Sequence, residues 1–185
     1  MKNYITINDI KSIKHTVQEA IQLKNNPYQF ETLGKCKTLV MLFFNASLRT
    51  RLSTEKAAKN LGMEVMVLNI NDCWNLEYDN GTIMNLAKAE HIKEAANVIS
   101  QYGDLIAIRA FPTLTNKEMD ETEHVLNSFV KYASVPIINM ESATAHPLQA
   151  LADAITISEL KTTSRPKVVL TWAPHPKALP HAVAN

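Results

Sequence analysis

The chain has 185 residues, 46% hydrophobic and 20% charged, and its 19 Lys and Arg stand against 18 Asp and Glu for a net charge of +1. That balance lacks the basic stripe that nucleic acid or an anionic membrane surface requires, and the longest apolar run, Leu39 to Phe44, is far short of the ~20 residues of a membrane span. Cys36 and Cys73 have no C-x-x-C spacing, which argues against a disulfide framework or a zinc ribbon and fits a reducing cytoplasm; the first residues contain no long apolar region, so no secretory signal is expected.

The predicted elements alternate. Residues 8–24 carry Ile10, Ile13, Val17, Ala20 and Ile21 at helical spacing, with Asn8 or Asp9 as the cap. Residues 38–44 form a continuous apolar run, as expected of a strand buried on both faces. A helix follows over 47–61, a strand over 63–69 and a polar loop over 71–80. Residues 89–101 are predicted helical, 104–109 a strand and 120–133 an amphipathic helix. A strand over 136–140, a helix over 147–160 and a fifth strand over 167–172 complete the series. Alternating strands and helices predict an α/β domain: a three-layer arrangement with a mostly parallel sheet flanked by helices. Only four glycines occur, so Gly-rich phosphate loops are absent.

Ligands of parallel sheets gather beyond the carboxyl ends of the strands, and the unusual chemistry of this chain lies there. Ser47-Leu48-Arg49-Thr50-Arg51 joins the first strand to its helix. Free backbone N–H groups, the positive end of the helix dipole, two hydroxyls and two guanidinium groups suit a phosphate; the alternative is a helix capped by Ser47 with solvated arginines. Arg109 ends the apolar strand Leu105-Ile106-Ala107-Ile108 and must find water, a partner or an anion. Pro147 suits a first helical turn and puts His146 at the cap. His146, Gln149 and Asp153 then fall within roughly 60° of one another on one helix face, with Leu148, Leu151, Ala152 and Ile155 opposite. An imidazole and an amide at a helix start can hold an oxygen that gains negative charge; the alternative is a polar cap on a surface helix. Trp74 stands in a polar loop, and His175 lies between Pro174 and Pro176. No His, Cys and carboxylate cluster has metal-ligand spacing, and no cofactor is expected.

Together these residues resemble the aspartate/ornithine carbamoyltransferase family. Phe43-Phe44-Asn45-Ala46-Ser47-Leu48-Arg49-Thr50-Arg51 is similar to its phosphate loop. Arg109 and His146-Pro147-Leu148-Gln149 follow in the family's order and approximate spacing. Trp74, Asn139-Met140-Glu141 and Thr171-Trp172-Ala173-Pro174-His175-Pro176 resemble the branch that carbamoylates N-acylated ornithine.

The resemblance implies a carbamoyl-phosphate-binding domain over 1–145, an interdomain helix over 146–163 and the start of an acyl-ornithine-binding domain at 164–185. The substrates implied are carbamoyl phosphate and N-succinyl-L-ornithine, with N-acetyl-L-ornithine as the alternative; Ala89 favours succinyl, since the acetyl type carries a carboxylate there that would repel a second negative charge. Ser47, Leu48, Arg49, Thr50, Trp74, Arg109, His146 and Gln149 would bind carbamoyl phosphate, with Arg109, His146 and Thr50 acting on the reacting groups. Glu141 and His175 would contact acyl-ornithine. A cytoplasmic homotrimer is implied, with Trp74 serving a neighbouring subunit. The family's Cys-Leu-Pro motif does not occur in the sequence, so these 185 residues are expected to be a fragment that binds carbamoyl phosphate without turnover. The competing reading is a non-catalytic module that binds phosphate or carbamoyl phosphate.

Overall fold

The run from Leu39 to Phe43 reads as unbroken hydrophobicity because it feeds two cores. In the computed structural model, which describes residues 2–73, 75–84, 88–169 and 171, it forms β1 (Thr38–Phe43). Val40 and Leu42 enter one apolar cluster, and Leu39, Met41 and Phe43 enter the other. A strand covered on both faces presents no polar side. β1 pairs in parallel with β2 (Glu64–Asn69) on one side and β5 (Leu105–Arg109) on the other, and β5 pairs in parallel with β6 (Ile137–Glu141). The sheet order is therefore β2-β1-β5-β6. Tyr4 adds a parallel bridge to Ile138. At the opposite edge every residue of β2 is half-buried or exposed.

Helices cover both faces. On one, α4 (Ile92–Tyr102) and α6 (His124–Tyr132) bury Ile92, Ala95, Ala96, Leu126 and Phe129. On the other, α2 (Arg49–Asn60) contributes Ala58, and Leu148 of α7 (Pro147–Leu160) packs alongside. The first helix, α1 (Ile13–Asn25), packs against α7. Among the described residues no helix is long and apolar enough to cross a membrane.

The structure departs from the sequence pattern in five places. The Asp9 carboxylate accepts from the Ile5 and Thr6 N–H groups and closes a short 3-10 turn, so Ser12 caps α1 instead. Of the apolar positions predicted there only Val17 is buried. Residues 71–80 are not a plain loop: α3 (Ile70–Cys73) is followed by β3 (Leu76–Glu77), which pairs with β4 (Glu90–His91) in a separate small sheet. The predicted helix 120–133 is two, α5 (Lys117–Glu121) and α6, because Glu123 between them takes a left-handed conformation with φ 51°. Finally, Lys167, Val168, Val169 and Thr171 form no strand, and the remainder of that segment lies outside the described residues.

Candidate active site

The sheet order reverses at β1: the chain first adds β2 on one side, then β5 on the other. Loops leaving neighbouring strands diverge at such a switch point and leave a crevice. A cleft of about 720 Å³ opens there, lined by residues at or beyond the ends of three strands: Ser47 to Thr50 after β1, Arg109 and Phe111 at β5, and Glu141 at the end of β6 with His146 and Gln149 beyond it. The start of α2 opens into it. Leu48 occupies the N-cap position and among the described residues no side chain caps the helix, so Ser47 does not serve as the cap expected. The first-turn N–H groups lack intrahelical partners and, with the helix dipole, make this end of the cleft attractive to an anion. Arg49 and Thr50 stand on that first turn and line the cleft. Arg51 does not: its guanidinium lies 4.3 Å from the centre of the Phe43 ring and donates to Asn69 Oδ1.

Arg109 is 7% exposed, and its charge is answered from two strand ends. Nε donates to Glu141 Oε2 at 3.1 Å, and Nη1 donates to the carbonyls of Asn45 at 3.2 Å and Ala46 at 2.7 Å. The guanidinium stacks 4.0 Å from the centre of the Phe111 ring. Asn45 Oδ1 in turn accepts from the Phe111 N–H at 2.7 Å. Arg109 thus pins the exit of β1 to those of β5 and β6. Among the described residues Nη2 has no hydrogen-bond partner, which leaves a donor for an anion in the cleft.

His146 is the N-cap of α7, as its position before Pro147 predicts, and its Nδ1 accepts from the Gln149 N–H at 3.4 Å. Half-burial lowers the imidazole pKa, the Arg109 charge lowers it further, and Asp153 pulls the other way. The ring is therefore neutral near pH 7, and with Nδ1 accepting, the proton sits on Nε2. Nε2 lies 3.7 Å from Glu141 Oε2, beyond hydrogen-bond reach, so this N–H remains available. Gln149 Nε2 donates to Asp153 Oδ1 at 2.9 Å. The amide is thereby oriented, and among the described residues its Oε1 has no hydrogen-bond partner and can accept. The cleft then offers helix N–H groups, a guanidinium N–H, an imidazole N–H and an amide oxygen: a set that fits an anion joined to a carbonyl and an N–H donor.

Of the residues singled out in the sequence, Ser47, Leu48, Arg49, Thr50, Arg109, Glu141, His146 and Gln149 all line this one cleft. Trp74 and His175 lie outside the described residues. Sequence reasoning passed over Ser53 and Thr54, which line the cleft one helical turn beyond Thr50; their i+3 and i+4 spacing is the signal that finds them. It also set Leu148 and Ala152 opposite the polar face, whereas both contribute to the cleft wall.

A family model described as the aspartate/ornithine carbamoyltransferase carbamoyl-P binding domain matches residues 2–159. The chain is 50% identical over 186 aligned positions to the N-succinylornithine carbamoyltransferase of Bacteroides thetaiotaomicron, covering 100% of this chain and 58% of that protein. It is 46% identical over 155 positions to the N-acetylornithine carbamoyltransferase of Xylella fastidiosa, covering 82% of this chain and 46% of that one. Among solved structures, a glutamate-to-alanine variant of N-acetyl-L-ornithine transcarbamylase complexed with carbamyl phosphate and N-succinyl-L-norvaline superposes with a TM-score of 0.79 at 39% identity, over 86% of this chain and 48% of that one. The chain spans about half the length of the curated relatives it matches.

Proposed function

The chain belongs to the aspartate/ornithine carbamoyltransferase family, and from that premise we propose that it is the carbamoyl-phosphate half of an N-acylornithine carbamoyltransferase whose acceptor is N-succinyl-L-ornithine. The observation that carries the proposal is the convergence of Arg49, Arg109, His146 and Gln149, from three separate strand exits, on one cleft. Phosphate binding alone has no use for the last two. In this reading Ser47, the Leu48 backbone, Arg49 and Thr50 hold the phosphate, and Arg109 bridges phosphate and carbonyl oxygens. The neutral δ-amine forms its bond to the carbamoyl carbon. The carbonyl oxygen gains charge against the His146 Nε2–H and the Thr50 hydroxyl, while Gln149 Oε1 accepts from the carbamoyl nitrogen. The C–O bond to phosphate then breaks with its electron pair on the phosphate oxygen, and the departing phosphate takes up the proton that the amine gives up. Catalysis is positioning and charge stabilisation.

The acyl assignment draws on Ala89, whose N–H is bonded to the Asn75 carbonyl immediately before β4. A methyl group there offers succinate no repulsion. The N-succinyl ligand in the transcarbamylase variant whose glutamate is replaced by alanine agrees in kind. Glu141 and His175 would contact the acyl-ornithine, and Trp74 would serve a neighbouring subunit of a cytoplasmic homotrimer.

Calorimetry with carbamoyl phosphate tests the phosphate end. Arg49→Ala should weaken binding roughly thirtyfold or more, the ~2 kcal/mol of a charge-assisted contact; unchanged affinity sinks the assignment. Carbamoyl transfer to ornithine, N-acetylornithine and N-succinylornithine, offered side by side, tests the acceptor. Turnover of the succinyl compound alone is expected, and turnover of the acetyl compound instead overturns the acyl assignment.

A further inference from the structure

Glu123 is not among the residues lining the cleft, yet its side chain is more heavily bonded than any group in it. It stands between α5 and α6 at φ 51°, ψ 40°, a conformation that costs a non-glycine residue ~1 kcal/mol or more. No side-chain hydrogen bond caps α6, so helix capping does not explain the carboxylate. The carboxylate instead reaches the turn between β6 and α7. Oε1 accepts from the Ser142 hydroxyl at 2.7 Å, the Thr144 N–H at 2.6 Å and the Thr144 hydroxyl at 2.6 Å, and Oε2 accepts from the Ala143 N–H at 3.2 Å. Ser142 is 1% exposed, and its oxygen also accepts from Asn139 Nδ2 at 2.9 Å. The Ser142 N–H closes the turn on the Ala145 carbonyl at 2.9 Å, and His146 follows directly.

We propose that Glu123 is a positioning residue for His146: by gathering three consecutive residues of the turn onto one carboxylate, it sets where the imidazole enters the cleft. The role given to His146 rests on the function proposed above. Asp120 does the matching work on the other flank, accepting from the Thr113 N–H at 2.7 Å, the Leu114 N–H at 2.9 Å and the Thr113 hydroxyl at 3.0 Å. Two carboxylates at one helix junction thus brace the loop after Arg109 and the turn before His146. A turn held by four bonds to an ionised group has little freedom to shift, and misplacement by about an ångström can cost a hundredfold in a site of this kind.

The test is an NMR titration of the His146 ring in the 185-residue chain, assigned with His146→Asn, together with calorimetry using carbamoyl phosphate and inorganic phosphate. The groups that face the ring are Arg109, Glu141 and Asp153. In Glu123→Gln the ring should leave its half-buried place beside Arg109, so its pKa should rise toward the ordinary histidine value. Carbamoyl phosphate affinity should fall about tenfold, and inorganic phosphate affinity by less than about twofold. Loss of a negative charge acting through space would move the pKa down, so a downward shift overturns the proposal. An unchanged titration with an unchanged ratio of the two affinities reduces Glu123 to a brace and also overturns it. If Glu123→Gln does not fold, Thr144→Val removes one of the four bonds and should move the ring in the same upward direction; no movement counts against the proposal. Wild-type chain that binds neither ligand would sink the proposed function, while the His146 titration would still decide the role of Glu123.

Discussion

The protonation state of His146 is set by where its side chain is forced to lie. Burial first, then the Arg109 charge, hold its pKa below the ordinary value, against the pull of Asp153. Unfolding frees the ring, so between the lowered folded value and the free value of ~6.5 the unfolded chain binds more protons than the native one. Stability is fully present above that upper limit and is lost as pH falls through the window. Urea midpoints measured from about pH 7.5 down to 5 should show it: the advantage of the wild type over His146→Asn should narrow as pH falls, and parallel curves would mean that His146 titrates alike in both states. At this scale the cleft is legible in the sequence wherever a residue stands at the end of a strand or in the connection that leaves it. Ser47 to Thr50, Arg109 and His146 are of that kind, and the rule that ligands gather beyond the carboxyl ends of parallel strands points to all of them. Glu123 was not legible, because its partners lie 19 to 21 residues away, beyond α6 and β6, and no local spacing records such a bond.

Elements follow the same logic of local against distant causes. β1 and β5 were plain from their unbroken apolar runs, since burial on both faces leaves a signal in each residue. The split of residues 117–132 into α5 and α6 was hidden, because amphipathic spacing continues through Glu123 and only the backbone reverses. The turn that ends α2 shows a distant cause at work on a glycine. Gly62 has φ 78°, and a Cβ there would stand 2.0 Å from the Glu31 carbonyl oxygen. The segment before β1 therefore passes directly over the turn, and its Gly34 N–H bonds the Leu61 carbonyl at 2.8 Å. Gly81 has nearly the same φ, 81°, but a Cβ there meets nothing within 4 Å. Gly81→Ala should cost ~1 kcal/mol, the conformational penalty alone. Gly62→Ala should cost about 2 kcal/mol or more, since the backbone must also move aside. Chemical denaturation of the two variants separates the causes, and equal losses would show that the Glu31 contact contributes nothing.

At the scale of the whole molecule, the cleft exists only when the chain is folded. Its walls come from residues 46 to 54, 109 to 111 and 141 to 152, and the pieces meet because β1, β5 and β6 lie side by side in parallel, with a register shift between Ile108 and Arg109 that sets Arg109 opposite Glu141. Arg109 then ties the three strand exits together through Asn45, Ala46 and Glu141. A ligand spanning these walls has no counterpart site in the unfolded chain, so its binding free energy appears in full as stability. Carbamoyl phosphate at a hundred times its dissociation constant should therefore add about 2.7 kcal/mol. That is a rise of a little over 1 M in the urea midpoint for a slope of about 2 kcal/mol/M. Arg49→Ala, binding roughly thirtyfold more weakly, should keep less than about 1 kcal/mol of that gain at the same ligand concentration. An equal gain in wild type and variant would place the ligand away from the start of α2; a gain confined to the wild type ties the stability of the whole sheet to the anion held where β1 ends.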